Sequence, residues 1–385
     1  MYIQRLALEN FRVYPELQIE FPPGLAIIVG PNASGKTSLL EAIHFLATSK
    51  SHRTNADREL VHFKSPHARL QGTFVSDTRE LTIAAAIPAR VSDRKPSSPS
   101  SKQMKLDGQS IDRIVDLIGR VPVVMFSNDD LDIVRGAPDF RRRFLNIAIA
   151  QLRPRYYDDI RRYGRALLQR NELLKLVCDG HAEKQRLTPW TEQLAKAGAA
   201  ITNDRSEFIE SLTESAGRVH ARLSGGEQDG ADGEDIVVQY KTNLGDDLDT
   251  EVSAEAFMEM LEEGLAEDIR RGYTTIGPHR DDFEIQINGN DARTFGSQGQ
   301  QRTAALSLKL AQADVVMNWR GEPPLLLLDD CLSELDSARS RRILRLAQQR
   351  QGMIITSPVM TDTLAEQPDA RIYEVEDGSV TGAGE

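Results

Sequence analysis

Residues 30–37 read Gly-Pro-Asn-Ala-Ser-Gly-Lys-Thr, and few folds can surround such a run. A tight glycine turn lets successive backbone N–H groups converge on one anion, a lysine adds a point charge, and a hydroxyl serves a divalent ion. Gly30, Gly35, Lys36 and Thr37 meet these needs, with Pro31, Asn32, Ala33, Ser34 and Ser38 completing the run. The flanks agree. Residues 25–29 are apolar enough for a buried strand, and residues 37–47 place apolar side chains at 39, 40, 43, 46 and 47, a helical spacing. Strand, glycine loop and helix in this order predict an α/β fold with a phosphate-binding loop. The competing reading is a glycine turn of purely structural origin.

A second part of the same site is expected near the other chain end. Four leucines at 325–328 run into Asp329 and Asp330, a strand that carries carboxylates to its C-terminal end, where parallel sheets bind ligands. Asp329 is expected to share Mg²⁺ with Thr37, and Asp330 to orient or deprotonate an attacking water. Ser297, Gln298 and Gly299 stand immediately before a predicted helix, whose free N–H groups and serine hydroxyl suit an anion. Leu-Ser-Gly-Gly-Glu-Gln at 223–228 spells a transporter signature but is followed by Asp-Gly-Ala-Asp-Gly-Glu, a poor helix start, so it reads as a helix-terminating turn, with a nucleotide contact as the alternative.

The chain has 385 residues, 40% of them apolar, enough for two or so domains. Its net charge of −11 argues against nucleic acid, since phosphate neutralisation supplies most non-specific affinity. Locally the balance differs. Residues 129–175 carry an excess of Arg and Lys, clustered at Arg141, Arg142, Arg143, Arg153, Arg155, Arg161, Arg162 and Arg165. The two cysteines, Cys178 and Cys331, are too far apart for a metal knuckle and point to a reducing cytoplasm. No apolar run is long enough for a bilayer, and residues 1–10 alternate like a strand rather than a signal peptide, so no membrane partner is expected.

Strands are predicted at 2–8, 17–21, 25–29, 68–75 and 81–87, with a Ser/Pro-rich hairpin tip at 91–105 and an Asp107-Gly108 turn. From about 129 the periodicity is helical: Tyr156, Ile160, Tyr163 and Leu167 trace one stripe after Pro154, and Trp190 to Leu223 trace a longer one. Packed antiparallel, the two would form an arm. An acidic loop, a strand at 236–240 and a helix at 255–270 follow. Then come strand 283–287, helix 300–319, strand 325–328, helix 339–349, strand 353–355 and hairpin 371–380.

Together these residues resemble the RecF family of SMC-like ABC ATPases. The resemblance rests on Leu-Glu-Asn-Phe-Arg at 8–12, the phosphate loop, Ser-Lys-Ser-His-Arg-Thr at 49–54, Ala-Pro-Asp-Phe-Arg-Arg-Arg-Phe at 137–144, Gly-Pro-His-Arg-Asp at 277–281, Ser-Gln-Gly-Gln at 297–300 and Leu-Leu-Asp-Asp-Cys-Leu-Ser-Glu-Leu-Asp at 327–336. Ser-Asn-Asp-Asp-Leu at 127–131 departs from the family's usual Ser-Pro-Glu-Asp-Leu, and Cys331 replaces a more usual aliphatic residue. The resemblance implies a two-lobed ABC/SMC-type ATPase head, with lobes at 1–128 and 266–385 and an inserted, mainly helical arm at 129–265.

It also implies ATP and Mg²⁺ as cofactors and an ATP-dependent homodimer in which Ser297 of one copy meets the γ-phosphate held by the other. Lys36, Asp329, Asp330 and Ser297 become the expected catalytic set. Asp330 stands where many related ATPases have Glu, and Thr356 stands where they carry a switch histidine and is expected to sense the γ-phosphate through its hydroxyl, so slow, DNA-stimulated hydrolysis is expected. Arg12 is expected to reach the nucleotide, with a surface arginine as the alternative. For DNA, preferred at gaps, the candidates are Lys50, Arg53, Arg141, Arg142 and Arg143; solvated faces or partners for nearby Asp are the plain alternatives. His279 and Arg280 fit either a nucleotide contact or loop packing. Implied partners are RecR and, indirectly, RecO and RecA, in recombinational repair, replication maintenance and the SOS response. The rivals are an ATP-binding clamp with negligible hydrolysis and a transporter ATPase subunit.

Overall fold

The computed structural model describes residues 1–89, 102–225, 233–244, 251–333, 335–348 and 351–382. Its strands are β1 (Tyr2–Phe11), β2 (Tyr14–Glu20), β3 (Gly24–Val29), β4 (His67–Val75), β5 (Glu80–Pro88), β6 (Gln103–Leu106), β7 (Gln109–Ile111), β8 (Val123–Phe126), β9 (Ile236–Lys241), β10 (Asp282–Ile287), β11 (Asn290–Asp291), β12 (Leu325–Leu328), β13 (Gly352–Ser357), β14 (Arg371–Glu376) and β15 (Ser379–Gly382). The chain divides into two compact units. The first comprises Met1–Asp130, Ala221–Gly233 and Leu306–Glu385, the second Leu131–His220 and Glu234–Ala305.

In the first unit an antiparallel sheet runs β2-β1-β4-β5-β6-β7, and a second sheet runs β15-β14-β3-β13-β12-β8. The sequence pattern explains the first. Side chains alternate in and out along the middle of β1, Leu6 and Leu8 being buried; before it Gln4 and Arg5 are both exposed, and a register shift between Ile3 and Arg5 against β4 lets Ile3 and Leu6 both face the core. The second sheet is parallel from β14 through β8, so its strands are apolar on both faces, as Leu325–Leu328 and Val123–Phe126 show by complete burial. Here the chain ends interleave, β3 lying between β14 and β13.

The helix Lys36–Thr48 packs against strands of both sheets and is buried almost all round, Glu41 and His44 included. Its apolar positions were legible. That the charged and polar ones are buried too follows from having a sheet on each side.

The second unit holds a short antiparallel sheet, β11-β10-β9, and the helices Pro138–Leu152 and Pro154–Cys178, both with proline in the first turn. The helix Thr188–Ser224 follows. It runs antiparallel to Pro154–Cys178, since Arg155 meets Asp204 while Arg170 meets Thr191.

Some expectations need correcting. Part of the hairpin tip expected at 91–105 is strand β6, paired with β5, while residues 90–101 lie outside the described residues. The helix expected at 255–270 is two helices, Ala254–Glu263 and Leu265–Arg271, because Gly264, a weak helix former, separates them. Strand β8 has no counterpart among the expected strands, although its unbroken apolar run is the mark of a doubly covered strand. The turn at Asp107-Gly108 is present, with both residues at positive φ (50° and 80°).

Arg170 is fully enclosed in the second unit. Its Nη1 donates to Asp268 Oδ2 at 2.6 Å and to Thr274 Oγ1 at 2.8 Å, and its Nε to Thr191 Oγ1. Removing one partner of such a pair leaves a charge in a medium that cannot solvate it. Asp268→Ala is therefore expected to lower the unfolding free energy by about 3–5 kcal/mol, measured by denaturant titration; a change within about 0.5 kcal/mol, the range of ordinary surface substitutions, would contradict the assignment.

Candidate nucleotide site

The phosphate loop lies between β3 and the helix Lys36–Thr48. Its two glycines are sterically obligatory. A Cβ on Gly30 would fall 2.1 Å from Val375 O, and Gly35 has φ 120° with Tyr14 Oη only 2.5 Å from where its Cβ would stand. Ala33 also takes a left-handed conformation, φ 67°. Lys36 Nζ donates to the loop carbonyls Gly30 O (2.6 Å) and Pro31 O (2.8 Å). Burial lowers its pKa, against the attraction of Asp330 and Asp329. Ser34 Oγ is buried with no hydrogen-bond partner among the described residues, an acceptor and donor held ready at the loop.

The register of the parallel sheet brings the distant pieces together. Strand β13 separates β3 from β12, so three C-terminal strand ends stand side by side. Asp329 Oδ1 accepts from Thr37 Oγ1 at 3.0 Å and from Thr356 Oγ1 at 2.7 Å, and Thr356 Oγ1 accepts in turn from Asp330 N at 2.9 Å. Thr356 is wholly buried and already committed to both aspartates. It serves as a post between the strands, where a hydroxyl sensing phosphate was expected. Asp330 adopts φ 49°, and its Oδ1 is buried without a partner among the described residues. Burial raises the Asp329 carboxyl above the usual carboxylate range, outweighing the two hydroxyls that donate to it.

Arg12, at φ 52°, points its guanidinium into the first unit: Nε and Nη2 form a bidentate pair with Glu41 at 2.8 and 2.7 Å, and Nη1 donates to Glu59 O. Glu41 is fully buried and also accepts from Ser51 Oγ at 2.5 Å, with Arg53 Nη1 at 3.5 Å. Glu41 had no sequence signal beyond being a lone acid on a helix apolar elsewhere. Tyr14, against Gly35, falls between the expected strands 2–8 and 17–21; its hydroxyl has no partner among the described residues, and burial pushes its pKa up.

In the second unit, Ser297 caps the helix Gln298–Arg320 reciprocally. Its Oγ accepts from Gln300 N, and its own N–H donates to Gln300 Oε1 at 2.9 Å, a capping box with glutamine. Ser297, Gln298 and Gly299 are all exposed.

The arginine cluster separates into different fates. Arg141 is buried and forms a bidentate pair with Asp282 (2.6 and 2.7 Å), with Nη1 on Gly136 O, so its donors are directed into the fold rather than toward a nucleic acid. Arg142 is paired with Asp139 and with Asp281 O. Arg143, Lys50 and Arg53 are exposed. His279 is packed: its Nε2 faces Thr274 O, which only accepts, so Nδ1 receives the Tyr163 hydroxyl at 2.7 Å, and burial lowers its pKa to about 4. Arg280 lies over the Tyr273 ring. Of the expected signature-like turn at 223–228, Leu223 O accepts from Arg342 Nη1, while residues 226–228 lie outside the described residues.

A glycine cradle joined to a double-aspartate strand through a threonine post, in a sheet built from both chain ends, defines an SMC-type head. The family described as RecF/RecN/SMC N terminal domain matches residues 2–379. The head domain of Smc from Pyrococcus furiosus shares the fold, with a TM-score of 0.55 at 18% identity over 99% of this chain and 95% of that one. Similarity is much greater to proteins called DNA replication and repair protein RecF. The one from Halalkalibacterium halodurans is 39% identical over 100% of both chains, and the one from Halothermothrix orenii 37% identical over 99% of both. A solved structure described as the recombination mediator protein RecF-ATP in the RecFOR pathway superposes with a TM-score of 0.86, at 31% identity, over 99% of this chain and 97% of that one. The chain belongs to the RecF family of DNA replication and repair proteins. Among the described residues no helix is long and apolar enough to cross a membrane.

Because the folded chain holds the Asp329 proton more tightly than the unfolded chain, ionised Asp329 costs stability at neutral pH, and the cost fades as pH falls toward about 4. Asp329→Asn keeps an oxygen to accept from both threonines. In the absence of ligand it is expected to raise the melting temperature by about 2–4 °C at pH 8, with a smaller gain at pH 5, as read by scanning fluorimetry. A loss of stability at pH 8 would contradict this.

Proposed function

We propose that the chain is an ATP-dependent DNA-binding protein of recombinational repair and replication maintenance, in which two copies close around two shared ATP molecules. The observation that carries this reading is the contact of Asp329 with Thr37 across the sheet, since it unites a phosphate cradle with a carboxylate whose burial disfavours its charged form. Thr37 Oγ1 and Asp329 would hold Mg²⁺, a hydroxyl and a carboxylate suited to a hard ion. When bound, Mg²⁺ would neutralise phosphate charge and polarise the γ-phosphoryl group.

Residues 30–38 bind the triphosphate through their N–H groups, and Lys36 exchanges two loop carbonyls for phosphate oxygens. Asp330, with a buried and unpartnered Oδ1, positions the attacking water and receives its proton as the γ-phosphoryl bond to ADP breaks. Its short side chain and fixed backbone suit slow turnover. Ser297, Gln298 and Gly299 cover the γ-phosphate held by the other copy, which accounts for an exposed, capped helix start with no further duty in its own unit. Arg12 acts through Glu41 on the helix that begins at Lys36, rather than as a free surface arginine.

The closed dimer binds DNA at single-strand gaps through Lys50, Arg53 and Arg143, and DNA binding stimulates a weak ATPase that reopens it. Arg141 and Arg142 support the second unit instead. RecR is the direct partner, RecO and RecA indirect ones, and the cytoplasm the compartment. A transporter role has no support in this site.

ATP is expected to double the mass of the wild-type particle by light scattering, while Lys36→Ala and Ser297→Arg remain single copies. Dimers of either variant at the same ATP concentration would overturn the shared-site reading.

A further inference from the structure

Phe63 and Phe295 are the most exposed aromatic side chains described, at 81% and 73%. Phe295 lies two residues from Ser297, on the face assigned above to the second copy. Phe63 has no such account. Exposing a phenyl ring forgoes the stabilisation that burial would give, and a free loop would fold the ring inward.

The turn that carries it is not free. His62 N donates to Asn10 O at 2.7 Å, and His62 Nδ1 lies 2.7 Å from Arg12 O, which only accepts, so that nitrogen carries the proton. Ser65 N closes the turn on His62 O, and Ser65 Oγ donates to Asn10 Oδ1 at 2.9 Å. Lys64 is held at φ 68° with its Nζ 5.6 Å from the Phe63 ring centre. A ring and an ammonium are thus held out together by a fastened backbone.

The charge of the segment that leads into the turn selects the partner. Lys50, Arg53, Arg58 and Lys64 are all exposed. The carboxylates of the same stretch are engaged within the protein: Asp57 pairs with Lys102 Nζ at 3.0 Å, and Glu59 Oε2 accepts from Thr54 Oγ1 at 2.5 Å. A protein interface needs an apolar cluster at its centre, whereas Phe63 is flanked in its turn by His62 and Lys64. One aromatic face beside cations that follow a phosphate chain is the chemistry of single-strand binding.

We propose that Phe63 is a stacking platform for an unpaired base, with Lys64 on the adjoining phosphate, so that this turn reads the single-stranded part of a gapped duplex. The inference rests on the DNA-binding reading above and adds to it the element that senses the gap. The turn is also tied to the nucleotide site, since Arg12, whose carbonyl holds His62, is clamped by Glu41 in the helix that begins at Lys36.

The test uses the full chain with ATP, a duplex with a short single-stranded gap and a continuous duplex of equal length, with affinities read by fluorescence anisotropy. Phe63→Ala is expected to weaken gapped-DNA binding roughly tenfold, within the range for losing one stacked base, and to change continuous-duplex binding by less than about twofold. Phe63→Trp is expected to retain gapped-DNA affinity, with its emission quenched on the gapped DNA but not on the continuous duplex. Lys64→Ala is expected to reduce the slope of log affinity against log salt by about 1. Equal losses on both DNAs, no loss on either, or an unquenched Phe63→Trp would overturn the stacking role. Loss of ATP-driven dimerisation in Phe63→Ala would instead assign the ring to a second copy and overturn it too. Failure of the wild type to bind either DNA would sink the DNA-binding reading itself, a result separable from the others.

Discussion

One carboxylate oxygen, Asp329 Oδ1, receives hydroxyls from Thr37 and Thr356, and the site depends on that convergence. Thr37 and Asp329 are 292 residues apart. They meet because β3, from the beginning of the chain, is inserted between β13 and β14, from its end. Neither terminal segment completes the parallel sheet alone, so the cradle and the carboxylates come together only when strands from both are paired. The intervening chain is no obstacle in principle, since the entropy of closing a loop grows only with the logarithm of its length. Burying the charged form of Asp329 opposes folding of the empty chain, a cost that fits the ligand-holding role proposed for it.

The second unit uses charge differently. Arg141, Arg170 and Arg205 are buried, and each is matched to partners within the unit: Asp282 for Arg141, Asp268 and Thr274 for Arg170, and Tyr156, Asn146 and Pro278 O for Arg205. Such pairs are weak sources of net stability but severe when half removed, so they fix which helix faces which. His279 and Tyr163 extend the same network around residues 277–281.

The phosphate loop, the double-aspartate strand and the helix capped by Ser297 were all legible because each is a local pattern with a local physical cause. The long apolar stripes after Pro154 and from Trp190 onward were legible for the same reason. What the sequence hid depends on the third dimension. An arginine run looks the same whether it faces solvent, as Arg143 does, or an aspartate 141 positions away, as Arg141 does. Thr356 looked like a hydroxyl facing the ligand until sheet order placed it between two aspartates. Glu41 showed only as an acid on an apolar helix, and the polarity of that helix could not be interpreted without knowing that sheets lie on both of its sides.

The central claim is that each nucleotide pocket takes its cradle from one copy and its Ser297 from the other. Mixing Lys36→Ala chains with Ser297→Arg chains tests it most directly, because the mixed dimer would contain one pocket with both defects and one with neither. The account predicts that the two variants, each inactive alone, regain ATP hydrolysis on mixing, toward half the wild-type rate per mixed dimer. If both variants are folded and the mixture is as inactive as its parts, the pocket is not shared and the account is contradicted.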